Sequence, residues 1–140
     1  MILADSGFWF ALHHRDDEAH AAAVRAAQDY AGEIFVSTWP VLAEACHLLN
    51  SYGGPSTVIK FIKSVREGVC EIFDIPVASL SRVEALMRKF RDLPMDLADA
   101  SLVVLAEELG EGRILTTDQR DFKTYRWKNT RPFKNLLFEA

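Results

Sequence analysis

The feature that most constrains this chain is the alternation of short apolar runs with longer segments whose apolar residues recur at helical spacing. Ile2, Leu3 and Ala4 read as a buried strand that stops at a polar turn, Asp5-Ser6-Gly7, which leaves Asp5 at the strand's carboxyl tip. A short helix is expected over residues 8–13. After a break at Arg15-Asp16-Asp17, an Ala-rich helix capped by Asp16 or Asp17 runs to about residue 30, and Gly32 ends it. Residues 34–36 form the second strand. Ser37 or Thr38 then caps a third helix, where Pro40 is tolerated because first-turn amides have no intrahelical partner, and this helix carries Glu44 towards residue 50.

Gly53-Gly54-Pro55 breaks the chain, and Val58, Ile59, Ile62 and Val65 mark a further helix over 56–67 that Gly68 closes. A third strand is expected over 69–75, a helix over 79–91, an interruption at Pro94, and a helix over 97–109 capped by Asp96 and ended by Gly110. Residues 113–116 are the fourth strand, followed by another acid, Asp118, and 133–138 are the expected fifth. Strands that alternate with helices need crossover connections, so the chain is read as α/β: a central parallel sheet of four to five strands flanked by helices in three layers. With no repeat or linker, residues 1–140 are read as a single domain. In such sheets ligands gather where loops leave the carboxyl ends of the strands, where Asp5 and Asp118 are expected.

Composition narrows the function classes. An apolar fraction of 49% against 26% charged residues excludes a disordered or low-complexity chain. The apolar runs fall far short of the roughly 18 residues a membrane span needs, and Asp5 stands where a signal peptide would be basic or apolar, so no membrane association and a cytoplasmic location are expected. Cys46 and Cys70 form no CxxC pair and read as buried reduced thiols. The net charge of -4 is uneven: residues 1–50 carry 2 basic and 7 acidic side chains, whereas residues 113–140 carry 7 and 3. An acidic body argues against indiscriminate nucleic-acid coating, while a basic end could hold a phosphate backbone locally.

Four acids are embedded in apolar sequence at the start or end of an element: Asp5, Glu44, Asp99 and Asp118. Charges in such settings face either the rim of the core or an ion, and their mutual repulsion raises their pKa values unless a cation offsets it. Ligation by oxygen alone suits Mg²⁺ or Mn²⁺. Asp96, three residues before Asp99, is either the cap of its helix or another ligand; Asp121 is read as solvated or capping a turn. Ser6, Thr116 and Thr117 place hydroxyls beside the acids, for turn hydrogen bonds or for support of the site.

Ile-Leu-Ala-Asp5-Ser6, Val-Leu-Ala-Glu44, Ala-Asp99-Ala100 and Ile-Leu-Thr116-Thr117-Asp118, in this order and spacing, resemble the PIN-domain nucleases. The segments Pro94-Met95-Asp96-Leu97-Ala98-Asp99-Ala100 and Thr-Thr-Asp-Gln-Arg-Asp-Phe resemble, within that family, the toxins of VapBC-type toxin–antitoxin pairs. The resemblance implies a PIN-like fold and a Mg²⁺- or Mn²⁺-dependent endoribonuclease. Asp5 and Asp99 would be its principal metal ligands, and Glu44 and Asp118 would hold metal waters or a second ion. It also implies an RNA substrate, a cognate antitoxin and a homodimer. Lys123, Arg126 and Lys128, in a basic stretch interleaved with Tyr125 and Trp127, read either as RNA contacts, with the two aromatic rings available to stack a base, or as a solvated basic tail.

Rival readings fit less well. A haloacid-dehalogenase-like phosphatase has a second Asp two residues after the first, where this chain has Gly7; a receiver domain has its acceptor Asp on a middle strand. A PIN-like nucleic-acid-binding module without activity is the non-enzymatic alternative. Glu44 and His47 at i, i+3 suggest a di-iron motif that lacks its required second copy, so His47 reads as packed, while His13, His14 and His20 around an acidic turn read as solvated. Trp9 and Phe10 are expected in the core or on a surface that receives a partner's helix.

Overall fold

The computed structural model describes residues 1–138. Strands β1 (Ile2–Ala4), β2 (Phe35–Thr38), β3 (Glu71–Phe73), β4 (Arg113–Leu115) and β7 (Lys134–Asn135) form one parallel sheet in the order β3-β2-β1-β4-β7. The chain moves outward from β1 through β2 to β3, then returns to place β4 on the other side of β1. This reversal opens a crevice beyond the carboxyl ends of β1 and β4, the usual position for a site in an open parallel sheet. Helices α1 (Ser6–His13), α2 (His20–Asp29), α3 (Trp39–Arg66), α4 (Leu80–Lys89) and α5 (Leu97–Leu109) flank the sheet. The two central strands are wholly buried: β1 and β2 have no exposed residue.

The first helix begins at Ser6, two residues earlier than expected, because Asp5 itself caps it through the Ser6 amide at 2.7 Å. Gly7 therefore lies inside a helix, where the Thr117 side chain closes on it so tightly that a Cβ would collide with the Thr117 hydroxyl. The second helix starts at His20, after both proposed caps. Asp17 instead accepts from the Ala19 amide at 3.0 Å and shapes the preceding turn. The expected break at Gly53-Gly54-Pro55 occurs as a kink within α3, where Gly54 takes φ 75° and ψ -177° and helical bonding resumes beyond it.

The aromatic side chains of Phe8, Trp9, Phe35 and Phe61 pack against one another beneath β1 and β2 with centroids 5.0–6.3 Å apart. The Trp9 indole donates to Ser37 Oγ at 2.9 Å, and Ser37 Oγ donates to the Ala4 carbonyl at 2.6 Å, so a buried polar chain ties α1, β2 and β1 together. Trp9 is core, whereas Phe10 is half-buried and stacks on His14 beside the exposed Tyr52. Helix α5 is buried along nearly its whole length from Ala98 to Ala106, apart from half-buried Asp99, which explains its lack of a polar face.

The C-terminal region differs most from expectation. A short helix, α6 (Gln119–Thr124), and an antiparallel pair, β5 (Arg126–Trp127) with β6 (Arg131–Pro132), precede a fifth sheet strand of only two residues. Lys128 and Asn129 turn the hairpin at φ 48° and 65°. The Arg82 guanidinium donates to both Glu107 oxygens at 3.0 and 2.8 Å, and Glu107 also accepts from the Lys128 amide at 2.7 Å, anchoring the hairpin to α4 and α5. No helix among the described residues is long and apolar enough to cross a membrane.

Candidate active site

Each of the four expected acids occupies a capping or helical position beside the crevice. Asp5 ends β1 and caps α1, Glu44 lies in the second turn of α3, Asp99 is in the first turn of α5, and Asp118 caps α6. Three are bound to helix starts, where free amides and the positive end of the helix dipole favour carboxylates. Local capping therefore helps to place these acids at the carboxyl edge of the sheet.

Hydroxyls connect them. Ser6 Oγ donates to Glu44 Oε1 in a very short contact and lies 3.4 Å from Asp5 Oδ1, bridging α1 to α3. Thr116 Oγ1 donates to Asp5 Oδ2 at 2.8 Å and accepts from the Asp118 amide at 3.0 Å. Thr117 is different: its side chain is turned against Gly7 and makes no bond to an acid among the described residues.

Asp96 is the cap of its helix. Its Oδ1 accepts from the Asp99 amide at 2.8 Å, and Asp99 Oδ2 in return accepts from the Asp96 amide at 3.4 Å, completing a capping box. Its charge also bears on Glu44, Asp99 and Asp118, so the cap is electrostatically a fifth member of the centre. Asp121 stands at the margin, where its amide is bound by Asp118 and its carboxyl raises the Asp118 pKa.

The acids resist ionisation. Burial pushes Asp5 up to about 6 against hydrogen bonds from Thr116 and Ser6 that favour its charge, and the Glu44 and Asp118 charges push the same way as burial. Burial, then the charges of Asp96 and Asp5, lift Asp99 to about 8. Glu44 and Asp118 are both raised, again chiefly by burial.

Sequence reasoning missed Tyr125 as a member of this site. Its hydroxyl donates to Asp99 Oδ2 at 3.0 Å from a ring with no solvent exposure, and burial with the Asp99 charge holds it protonated well above the usual range. The sequence offers Tyr125 and Trp127 as rings that could stack a base. Both are buried, and the Trp127 indole donates to the Pro132 carbonyl at 3.1 Å, so neither ring is free to stack on a base. Arg126 Nη1 donates to the carbonyls of Lys123, Thr124 and Tyr125 at 2.7, 3.2 and 2.9 Å and so closes the end of α6. Lys123 and Lys128 are exposed, and Lys128 and Arg131 lie over the Trp127 ring at 5.9 and 5.2 Å.

A ribonuclease, VapC26 of Mycobacterium tuberculosis (strain ATCC 25618 / H37Rv), is 26% identical to this chain over 125 residues, an alignment spanning 89% of this chain and 92% of that protein. The crystal structure of Mycobacterium tuberculosis VapC20, described as a Sarcin-Ricin loop cleaving toxin, matches the fold with a TM-score of 0.76 at 18% identity, covering 86% of this chain and 92% of that one. At that identity the structural likeness speaks for the fold, a central parallel sheet flanked by helices. The model of the PIN domain matches residues 2–128, a span that contains all five acids and the tyrosine bound to Asp99, and the chain belongs to the PIN domain family.

Proposed function

We propose that this chain is a divalent-metal-dependent endoribonuclease and the toxin half of a toxin–antitoxin pair, with its chemistry at Asp5, Glu44, Asp99 and Asp118 and assistance from Asp96. The observation that carries this reading is the gathering of five acids at one sheet edge, four of them with raised pKa values. Ionised together, such groups repel, and a cation relieves that repulsion. The donor set consists of oxygens, as hard divalent ions require. No group of three acidic, His or Cys side chains among the described residues converges closely enough to hold an ion without help. Mg²⁺ is usually held by one or two carboxylates, with water and substrate phosphate completing its shell.

When bound, the ion would offset phosphate charge and make a water nucleophilic. Within the chain, Asp5 and Asp99 would be the principal ligands, and Glu44 and Asp118 would hold metal waters or a second ion. Ser6 and Thr116 hold the carboxylates in place. Lys123 and Lys128 hold the RNA backbone, with Arg126 stiffening the segment that carries them. The relatives' names, a ribonuclease and a Sarcin-Ricin loop cleaving toxin, support RNA as the substrate class. A cognate antitoxin, a homodimer and a cytoplasmic location complete this reading.

Product ends test it. Cleavage of a structured RNA is expected to require Mg²⁺ or Mn²⁺, to stop with EDTA, and to leave a 3′-hydroxyl and a 5′-phosphate. A 2′,3′-cyclic phosphate would instead mean metal-independent attack by the substrate's own 2′-hydroxyl and would overturn the carboxylate mechanism.

A further inference from the structure

Asp99 has one oxygen committed to protein donors and one that is not. Its Oδ2 accepts from the Tyr125 hydroxyl at 3.0 Å and from the Asp96 amide at 3.4 Å, while Oδ1 has no protein donor among the described residues. The Tyr125 ring stands edge-on to both Phe90 and Phe122, with centroids 5.1 and 5.0 Å away, and its backbone amide donates to the Asp121 carbonyl at 2.9 Å. A ring fixed in this way presents its hydroxyl at one point and cannot follow the carboxylate if it turns. Asp99 is therefore prepared to offer an ion Oδ1 alone.

The number of oxygens each carboxylate offers bears on which ion fits. Mg²⁺ demands near-octahedral geometry at about 2.0–2.1 Å, whereas Ca²⁺ takes roughly 6–8 oxygens at about 2.3–2.6 Å and readily accepts both oxygens of one carboxylate. We propose that Tyr125 is a positioning residue that determines ion selectivity: by occupying Asp99 Oδ2 it restricts that carboxylate to one-oxygen ligation and disfavours Ca²⁺ relative to Mg²⁺. The inference rests on the metal-dependent reading above. Outer-shell donors of this kind typically alter metal affinity by about 10–100-fold when removed.

The test is Mn²⁺ binding to the full, metal-free chain, followed by electron paramagnetic resonance, with Mg²⁺ and Ca²⁺ as separate competitors. Tyr125→Phe keeps the ring and its packing and removes only the hydroxyl. It is expected to weaken Mn²⁺ binding about tenfold and to shift the Ca²⁺-to-Mg²⁺ competition ratio about tenfold towards Ca²⁺. In an Asp99→Asn background the same substitution should change neither quantity, because the hydroxyl acts through that carboxylate. An unchanged ratio in Tyr125→Phe, or an equal loss for both ions that persists in the Asp99→Asn background, would overturn the inference while leaving the metal site standing. Absence of Mn²⁺ binding by the unaltered chain would remove both.

Discussion

Thr116 Oγ1 stands between two acids, donating to Asp5 Oδ2 at 2.8 Å and accepting from the Asp118 amide at 3.0 Å. One hydroxyl thus couples the end of β1 to the start of α6. Because it uses its proton on Asp5 and its lone pair on Asp118, replacement by a side chain of the same shape without the oxygen releases both groups at once. Thr116→Val is expected to lower kcat about 10–100-fold with little change in the KM for RNA, since the lysines proposed to hold the backbone are untouched. It should also destabilise the fold by about 1–3 kcal/mol, as the Asp118 amide is left without its acceptor. A rate within twofold of the unaltered protein would show that the hydroxyl only shapes the turn.

The raised acids make the metal-free protein sensitive to pH in a defined direction. A carboxyl whose pKa is higher in the folded than in the unfolded state keeps a proton that the unfolded chain releases, so stability falls as pH rises between the two values. For Asp5 and Asp99, raised to about 6 and about 8, the decline runs from about pH 4 to about pH 8. Melting in EDTA should be higher at pH 5 than at pH 8, by on the order of 1–3 kcal/mol of stability once the partial exposure of Asp99 is allowed for. Asp99→Asn should flatten the upper part of that decline. Equal melting temperatures at the two pH values would contradict the electrostatics of the cluster.

The strand–helix alternation was legible because most elements carry local signals: apolar runs for β1, β2 and β4, and the Asp96 cap with its Gly110 stop for α5. The four acids were legible because charge in apolar sequence requires a reason. What escaped were features set by tertiary contact. Nothing local distinguishes Tyr125 from a surface tyrosine in a basic segment; it is the packing of Phe90 and Phe122 that sends its hydroxyl to Asp99. The hairpin of β5 and β6 has a Lys-Asn turn at positive φ with no glycine to announce it, and its anchor, Glu107, lies in another helix. Gly7 read as a turn because glycine suits turns, whereas its position is explained by the approach of Thr117.

The three basic residues expected to contact RNA separate into two kinds. Lys123 and Lys128 are exposed, while Arg126 spends its guanidinium on three carbonyls at the end of α6. Lys123→Glu with Lys128→Glu is therefore expected to weaken RNA binding in a salt-dependent way, leave the melting temperature within a degree or two, and barely change the rate at saturating RNA. Arg126→Ala should lower the melting temperature and change RNA affinity less than the lysine pair does. Binding isotherms at two salt concentrations, paired with melting curves, separate the cases; equal effects on affinity from all three positions would mean that Arg126 leaves its carbonyls to meet RNA.

The last prediction concerns the acids themselves, because neutralising one of them has opposite effects on metal affinity and on stability. Asp5→Asn and Asp99→Asn keep the side chain's size and remove a negative charge that is buried or half-buried among like charges. Calorimetric titration with Mg²⁺ or Mn²⁺ should show binding by the unaltered protein and a loss of at least tenfold in affinity in each variant, since a proposed ligand is lost along with part of the charge that would attract the ion. Without metal, relief of repulsion works the other way, so Asp99→Asn should melt at or above the temperature of the unaltered protein at pH 8. Asp5→Asn is expected to gain less, because Ser6 and Thr116 already stabilise its charged form and its amide would present a hydrogen to the Ser6 N–H or the Thr116 hydroxyl. A variant that both melts lower without metal and binds metal as tightly as before would show that its carboxylate serves the helix start rather than an ion.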